Sequence, residues 1–155
     1  MISALISRRT ALQSTLLAAA MTLGGCAWMS SMMGSDATSM KNPVTGAQEV
    51  PPVTTSGSGT VETTFDKSTN VLTWTVTYSG LSGPVTAGHF HGPAMPGANA
   101  GVVVPFTGDL SSPIRGKATL TAAQAADLTA GRWYANLHTA KHPGGEIRGQ
   151  VTASK

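Results

Sequence analysis

Val71-Leu72-Thr73-Trp74-Thr75-Val76-Thr77-Tyr78 is the stretch that decides the fold. Leu72, Trp74, Val76 and Tyr78 alternate with Thr73, Thr75 and Thr77, and side chains two residues apart leave a strand on the same face. The period of two predicts a half-buried strand, with Trp74 as its core anchor. Lys67-Ser68-Thr69-Asn70 turns the chain ahead of it, and Leu81-Ser82-Gly83-Pro84 breaks it behind. Outward from this strand, short runs rich in Val, Thr and aromatic residues recur between Gly and Pro. They predict strands over Gly59–Asp66, Val85–His91, Val102–Phe106, Ile114–Leu120, Arg132–His138 and Glu146–Val151. Gln48-Glu49-Val50-Pro51-Pro52-Val53 predicts an edge strand, because proline cannot donate into a central ladder. Thr121-Ala122-Ala123-Gln124 fits a capping box and Gly131 a helix stop, so one short helix is expected near 121–130. Pro43 to Lys155 is long enough for one core and not two. The expected fold is all-β, a single antiparallel sandwich or barrel of immunoglobulin-like or superoxide-dismutase-like form.

The amino terminus predicts export. Arg8 and Arg9 precede an apolar run, Ala11 to Leu23, too short to span a bilayer with ease. Leu23-Gly24-Gly25-Cys26 resembles a bacterial lipobox, which makes residues 1–25 a signal peptide and Cys26 the lipidated residue. Ser7-Arg8-Arg9-Thr10 also fits a weak twin-arginine signal, so both export routes stay open. Ala27 follows the cysteine where an inner-membrane retention signal would place Asp. By similarity to Gram-negative lipoproteins, the expected address is the periplasmic side of the outer membrane or the cell surface. Residues 26–42 predict a flexible tether, with Met29, Met32, Met33 and Met40 read as filler rather than Cu(I) ligands. The single cysteine is spent on lipid, leaving no intramolecular disulfide. Removal of the signal takes Arg8 and Arg9 with it, leaving eight Lys and Arg against seven Asp and Glu. That balance, with no basic cluster, excludes nucleic acid as an expected partner. The membrane, through the lipid, and an envelope protein are the expected ones.

All four histidines fall in two short runs, Thr86 to Ala94 and Tyr134 to Gln150. His89 and His91 are two apart on one predicted strand, with Phe90 pointing away. On the two closing strands, Trp133, Ala135, Leu137, Ile147, Gly149 and Val151 share the apolar face. Paired as a hairpin across Thr139–Gly145, these strands place Tyr134, Asn136, His138, Glu146 and Arg148 together on the other face.

His89-Phe90-His91-Gly92-Pro93-Ala94, Gly101-Val102-Val103, Tyr134-Ala135-Asn136-Leu137-His138-Thr139 and Pro143-Gly144-Gly145-Glu146-Ile147-Arg148-Gly149-Gln150 together resemble the CHRD domain, the module repeated in chordin and found singly in bacterial secreted proteins. Gln48-Glu49-Val50-Pro51-Pro52 resembles its opening. The resemblance implies an extracellular β-rich module over residues 43–155 and no settled activity.

Three readings of the polar face follow. A non-catalytic binding module would hold Cu or Zn on His89, His91 and His138, with His142 as a fourth candidate ligand, since imidazole suits both ions. A structural or protein-interaction module would use the same groups as a buried network around Tyr134, Asn136, Glu146 and Arg148, with Glu146 and Arg148 as an ion pair. A copper-dependent redox enzyme is suggested by the His-x-His strand, which is locally similar to copper–zinc superoxide dismutases. The disulfide of that family and the rest of its ligand motifs are missing. No Gly-x-Ser-x-Gly elbow, phosphate loop or dinucleotide fingerprint occurs, and Asp109 and Glu146 lie far apart. A non-catalytic module is therefore the expected class.

Overall fold

A computed structural model describes residues 36–153. The signal, the lipobox with Cys26, and the first part of the expected tether lie outside them. Eight strands form one antiparallel sheet: β1 (Ala37–Thr45), β2 (Ser58–Asp66), β3 (Val71–Ser79), β4 (Val85–His91), β5 (Val102–Pro105), β6 (Ile114–Thr119), β7 (Trp133–Thr139) and β8 (Ile147–Val151). Their order is β5-β4-β7-β8-β1-β2-β3-β6. The sheet curls into a nearly closed barrel, the all-β class expected from the sequence. Contacts across the interior show the closure. Trp74 on β3 meets Phe90 on β4 with ring centroids 5.3 Å apart, and Phe106, just past β5, at 5.5 Å. Strands near opposite ends of the sheet thus share one core.

The period of two in β3 appears as designed by its sequence: Leu72, Trp74 and Val76 are buried inside. Val61 and Phe65 on β2, Trp133, Ala135 and Leu137 on β7, and Ile147 and Val151 on β8 complete the same layer. The one α-helix among the described residues, α1 (Ala122–Thr129), carries the expected capping box. Thr121 Oγ1 accepts from Gln124 N at 3.2 Å, and Gln124 Oε1 accepts from Thr121 N at 2.8 Å. Leu128 is its buried anchor, and Gly131, at φ 70°, ends it.

Two expectations are corrected. Residues 37–42 of the expected tether belong to β1, an inner strand paired with β2 from Ala37↔Asp66 to Thr45↔Ser58. The tether reading missed the apolar pair Met40 and Val44, whose spacing of four puts both on the inner face among polar neighbours, and both are buried. The domain therefore begins before Pro43. Residues 48–53 do not form an edge strand. The chain closes a 3-10 turn at Gly46–Gln48 and coils back, with Glu49 N and Val53 N both donating to the Gly46 carbonyl at 3.1 and 2.9 Å. Pro51 and Pro52 offer no N–H to a ladder, and the Glu49 side chain turns into the protein instead of lying along an edge.

A chain beginning at Pro43 should fail to fold, whereas one beginning at Asp36 should unfold cooperatively, as read by circular dichroism in urea. Trp74→Ala should cost about 3–5 kcal/mol in the same experiment, the range for emptying a large core site.

Candidate metal centre

β7 has both of its faces covered. Its odd residues enter the core, while Tyr134 and Asn136 on the outer face are also buried. The register builds that outer face into rows. His89 on β4 stands opposite Asn136 on β7, which stands opposite Arg148 on β8. The next row is His91, Tyr134 and Gln150. Three segments cover these rows: the loop 92–101, the turn 46–53 and the β7–β8 connection.

The loop 92–101 is held down by the side chains beneath it. Arg148 Nη1 donates to Asn99 Oδ1 at 2.9 Å and Nη2 to the Ala98 carbonyl at 2.6 Å. Gln150 Nε2 donates to the Ala94 carbonyl at 2.8 Å, and Ala100 N donates to the Tyr134 hydroxyl at 3.2 Å. Tyr134 lies between two partners. The His91 ring stacks on it at 4.8 Å and 3°, and the Arg148 guanidinium sits 3.3 Å from the ring centroid. Such a cation–π contact is stronger when desolvated.

His89, His91 and His138 come together, each offering a ligating atom within 4.8 Å of the others. His142 is not in that group. Its backbone closes the β7–β8 turn through Thr139 and Gly145, so the expected fourth ligand sits in the connection instead. His89 Nδ1 lies 3.1 Å from His138 Nε2. Asn136 Oδ1 lies 3.0 Å from both His91 Nε2 and His138 Nε2. On their far sides, His91 Nδ1 is 3.0 Å from the Ala100 carbonyl and His138 Nδ1 is 2.9 Å from the Pro143 carbonyl. A carbonyl oxygen only accepts, so each of these Nδ1 atoms carries the proton. In a neutral imidazole the other nitrogen then presents a lone pair. Burial holds the His138 and His89 rings below the usual imidazole range; at His89 the neighbouring His138 and His91 act in the same direction.

Glu49 was not singled out in the sequence beyond its place in the predicted edge strand. It is buried beside Asn136 and Arg148, and its Oε1 has no hydrogen-bond partner. Burial pushes its carboxyl up to about 7, against the opposing effects of Arg148, the Val50 N–H and the Asn136 amide. A Cβ on Gly145 would collide with Glu49 Oε1 and come within 2.9 Å of Asn136 Nδ2, and Gly145 has φ 125°. Glycine is needed here for both reasons. The one available sequence signal was a scarce acidic residue set beside Pro51-Pro52.

The expected Glu146–Arg148 ion pair does not form. Glu146 precedes β8, so the strand's alternation does not govern it, and its side chain points away from the histidines. Its carboxylate accepts from Thr55 Oγ1 at 2.6 Å, Ser82 N at 2.9 Å, Ser82 Oγ at 2.6 Å and Thr139 Oγ1 at 2.6 Å. Burial would raise this carboxyl, but the donors from Ser82, Thr139 and Thr55 win and hold it at about 2. Glu146 is a structural latch joining three segments that are distant in sequence.

A family model for the CHRD domain matches residues 40–151, from within β1 to the end of β8. The chain belongs to the CHRD domain family. Neither the curated proteins nor the solved structures compared with it yield a match.

Because the Glu146 carboxyl is held below its unfolded value, the stability it supplies is present above about pH 4.5 and is lost as pH falls toward 2. Glu146→Gln should flatten that part of the stability–pH curve and lower stability at pH 7 by roughly 2–3 kcal/mol. Urea unfolding of both proteins between pH 2 and 7 checks this.

Proposed function

We propose that this CHRD module binds one transition-metal ion, Zn or Cu, on His89, His91 and His138, and that it works as a non-catalytic metal-binding module of the cell envelope. The observation that carries the reading is a convergence of acceptors. Two backbone carbonyls fix the protons of His91 and His138 on Nδ1, which turns both Nε2 lone pairs toward Asn136 Oδ1 at 3.0 Å. With the amide in this orientation, lone pairs at that separation repel unless a cation lies among them. Protonating both rings would supply it, but burial disfavours a charge on His138. A metal ion supplies it without that cost. Carbonyls that orient metal-bound imidazoles from behind are the usual outer support of such centres.

The ligands come from two paired strands rather than from a loop, so their spacing is set by the sheet register. His89 and His138 are half-buried, which leaves that side of the centre reachable from solvent. Copper redox chemistry of the superoxide dismutase kind has less support, since among the described residues His89, His91 and His138 gather while His142 stands apart in the β7–β8 connection. Cys26 as lipid anchor would hold the module at the outer membrane; Cys26→Ser should then move the protein out of the membrane fraction.

A metal-free polar network is the second reading, and Glu49 is the observation that favours it. With its carboxyl held up to about 7, a protonated Glu49 could donate to Asn136 Oδ1 after the amide turns over, leaving Nδ2 to serve the imidazoles. The two readings separate in titration calorimetry with Zn2+ and Cu2+ on protein free of affinity histidines. Binding of one ion is expected. His138→Ala should weaken it beyond the roughly 10–100-fold that loss of an outer support costs. No binding at micromolar metal would leave the network reading standing.

A further inference from the structure

We infer that Asn136 is itself a ligand: its Oδ1 completes a four-donor set of three imidazole nitrogens and one amide oxygen, which takes a divalent ion, Zn2+ or Cu2+, in preference to Cu+. The inference rests on the three-histidine centre proposed above. Asn136 Oδ1 touches two of the three ring nitrogens, and His138 Nε2 touches the third, His89 Nδ1. These donor separations are 3.0, 3.0 and 3.1 Å. Bonds of about 2.0–2.1 Å to a tetrahedral ion put its donors roughly 3.3 Å apart; these three separations are close to that spacing, and the histidine nitrogens, within 4.8 Å of one another, would complete it by ring rotation. In this orientation an amide oxygen meets two lone pairs, which a shared cation would reconcile and hydrogen bonding between neutral groups would not.

The amide's orientation has its own support. Asn136 Nδ2 faces the space left by Gly145, on the side where the Glu49 carboxyl lies. That placement leaves Oδ1 toward the histidines. The backbone of Asn136 is fixed from both sides, opposite His89 on β4 and Arg148 on β8, and the side chain is buried. The oxygen is therefore presented by a rigid element, as a ligand must be. No thiolate or thioether belongs to the set, and a nitrogen and oxygen set favours the divalent ions over soft Cu+.

The test uses the full-length chain, with Zn2+ affinity read by competition against a chelator and the ligand field read from Co2+ absorption. The variants are Asn136→Leu, which removes the oxygen at similar volume, and Asn136→Asp, which keeps an oxygen and adds charge. Asn136→Leu should weaken Zn2+ binding beyond the roughly 10–100-fold that loss of an outer support costs and shift the Co2+ bands, while its Cu+ affinity stays near wild type. Asn136→Asp should bind Zn2+ more tightly than wild type. Equal Zn2+ affinity and an unchanged Co2+ spectrum in Asn136→Leu would overturn the inference and leave the three-histidine centre intact. Absence of Zn2+ and Co2+ binding in the wild type would remove both. Should Asn136→Leu fail to fold, Asn136→Asp decides alone: tighter Zn2+ binding upholds the oxygen ligand, and equal or weaker binding rejects it.

Discussion

The register between β4, β7 and β8 is the constraint from which the rest of this molecule follows, because β7 is buried on both sides. Its inner residues Trp133, Ala135 and Leu137 must stay in the core, and a slip of one residue would exchange every side chain between the faces. Holding those three inside leaves Tyr134, Asn136 and His138 no choice but the outer face. There Tyr134 and Asn136 are covered as well, so each polar atom needs a partner or carries the cost of lost solvation. His89 and His91 from one side and Arg148 and Gln150 from the other meet that need. The outer layer is thus a second, polar core laid on the back of the first.

This arrangement explains why loops without regular structure can form a defined site. The segment 92–101 is pinned by Arg148, Gln150 and Tyr134, and it returns the Ala100 carbonyl that orients His91. The β7–β8 connection returns the Pro143 carbonyl that orients His138. Glu146 ties that same connection to Thr55 and Ser82 on the far side. Imidazole orientation is therefore inherited from the sheet through a short series of hydrogen bonds, and each bond is to a group whose own position is determined. A centre prepared in this way would lose little freedom if an ion entered, which is the physical basis for preorganised binding.

Much of this was legible in the sequence. The alternation in Val71–Tyr78, the capping box at Thr121, the hairpin around Pro143-Gly144-Gly145 and the shared face of Tyr134, Asn136 and His138 all rest on periods of two or on local turn chemistry, which one sequence displays. Three features were not legible, each for a physical reason. β1 has a sparse apolar pattern, Met40 and Val44 among polar residues, and only its pairing between β2 and β8 makes it a strand. Glu49 reaches the site by a chain reversal that Pro51-Pro52 suggests only in hindsight. Glu146 looked like a partner for Arg148 because the two are two apart, yet β8 starts after it. Long-range closure is not written in local periodicity.

The most direct test of the central claim is long-range 1H–15N NMR of the histidine side chains, metal-free and after one equivalent of Zn2+. The account predicts that neutral His91 and His138 carry their protons on Nδ1 in both samples, and that their Nε2 signals, with that of one His89 ring nitrogen, shift when Zn2+ is added while His142 stays unchanged. Nε2-protonated rings that do not respond to Zn2+ would contradict it.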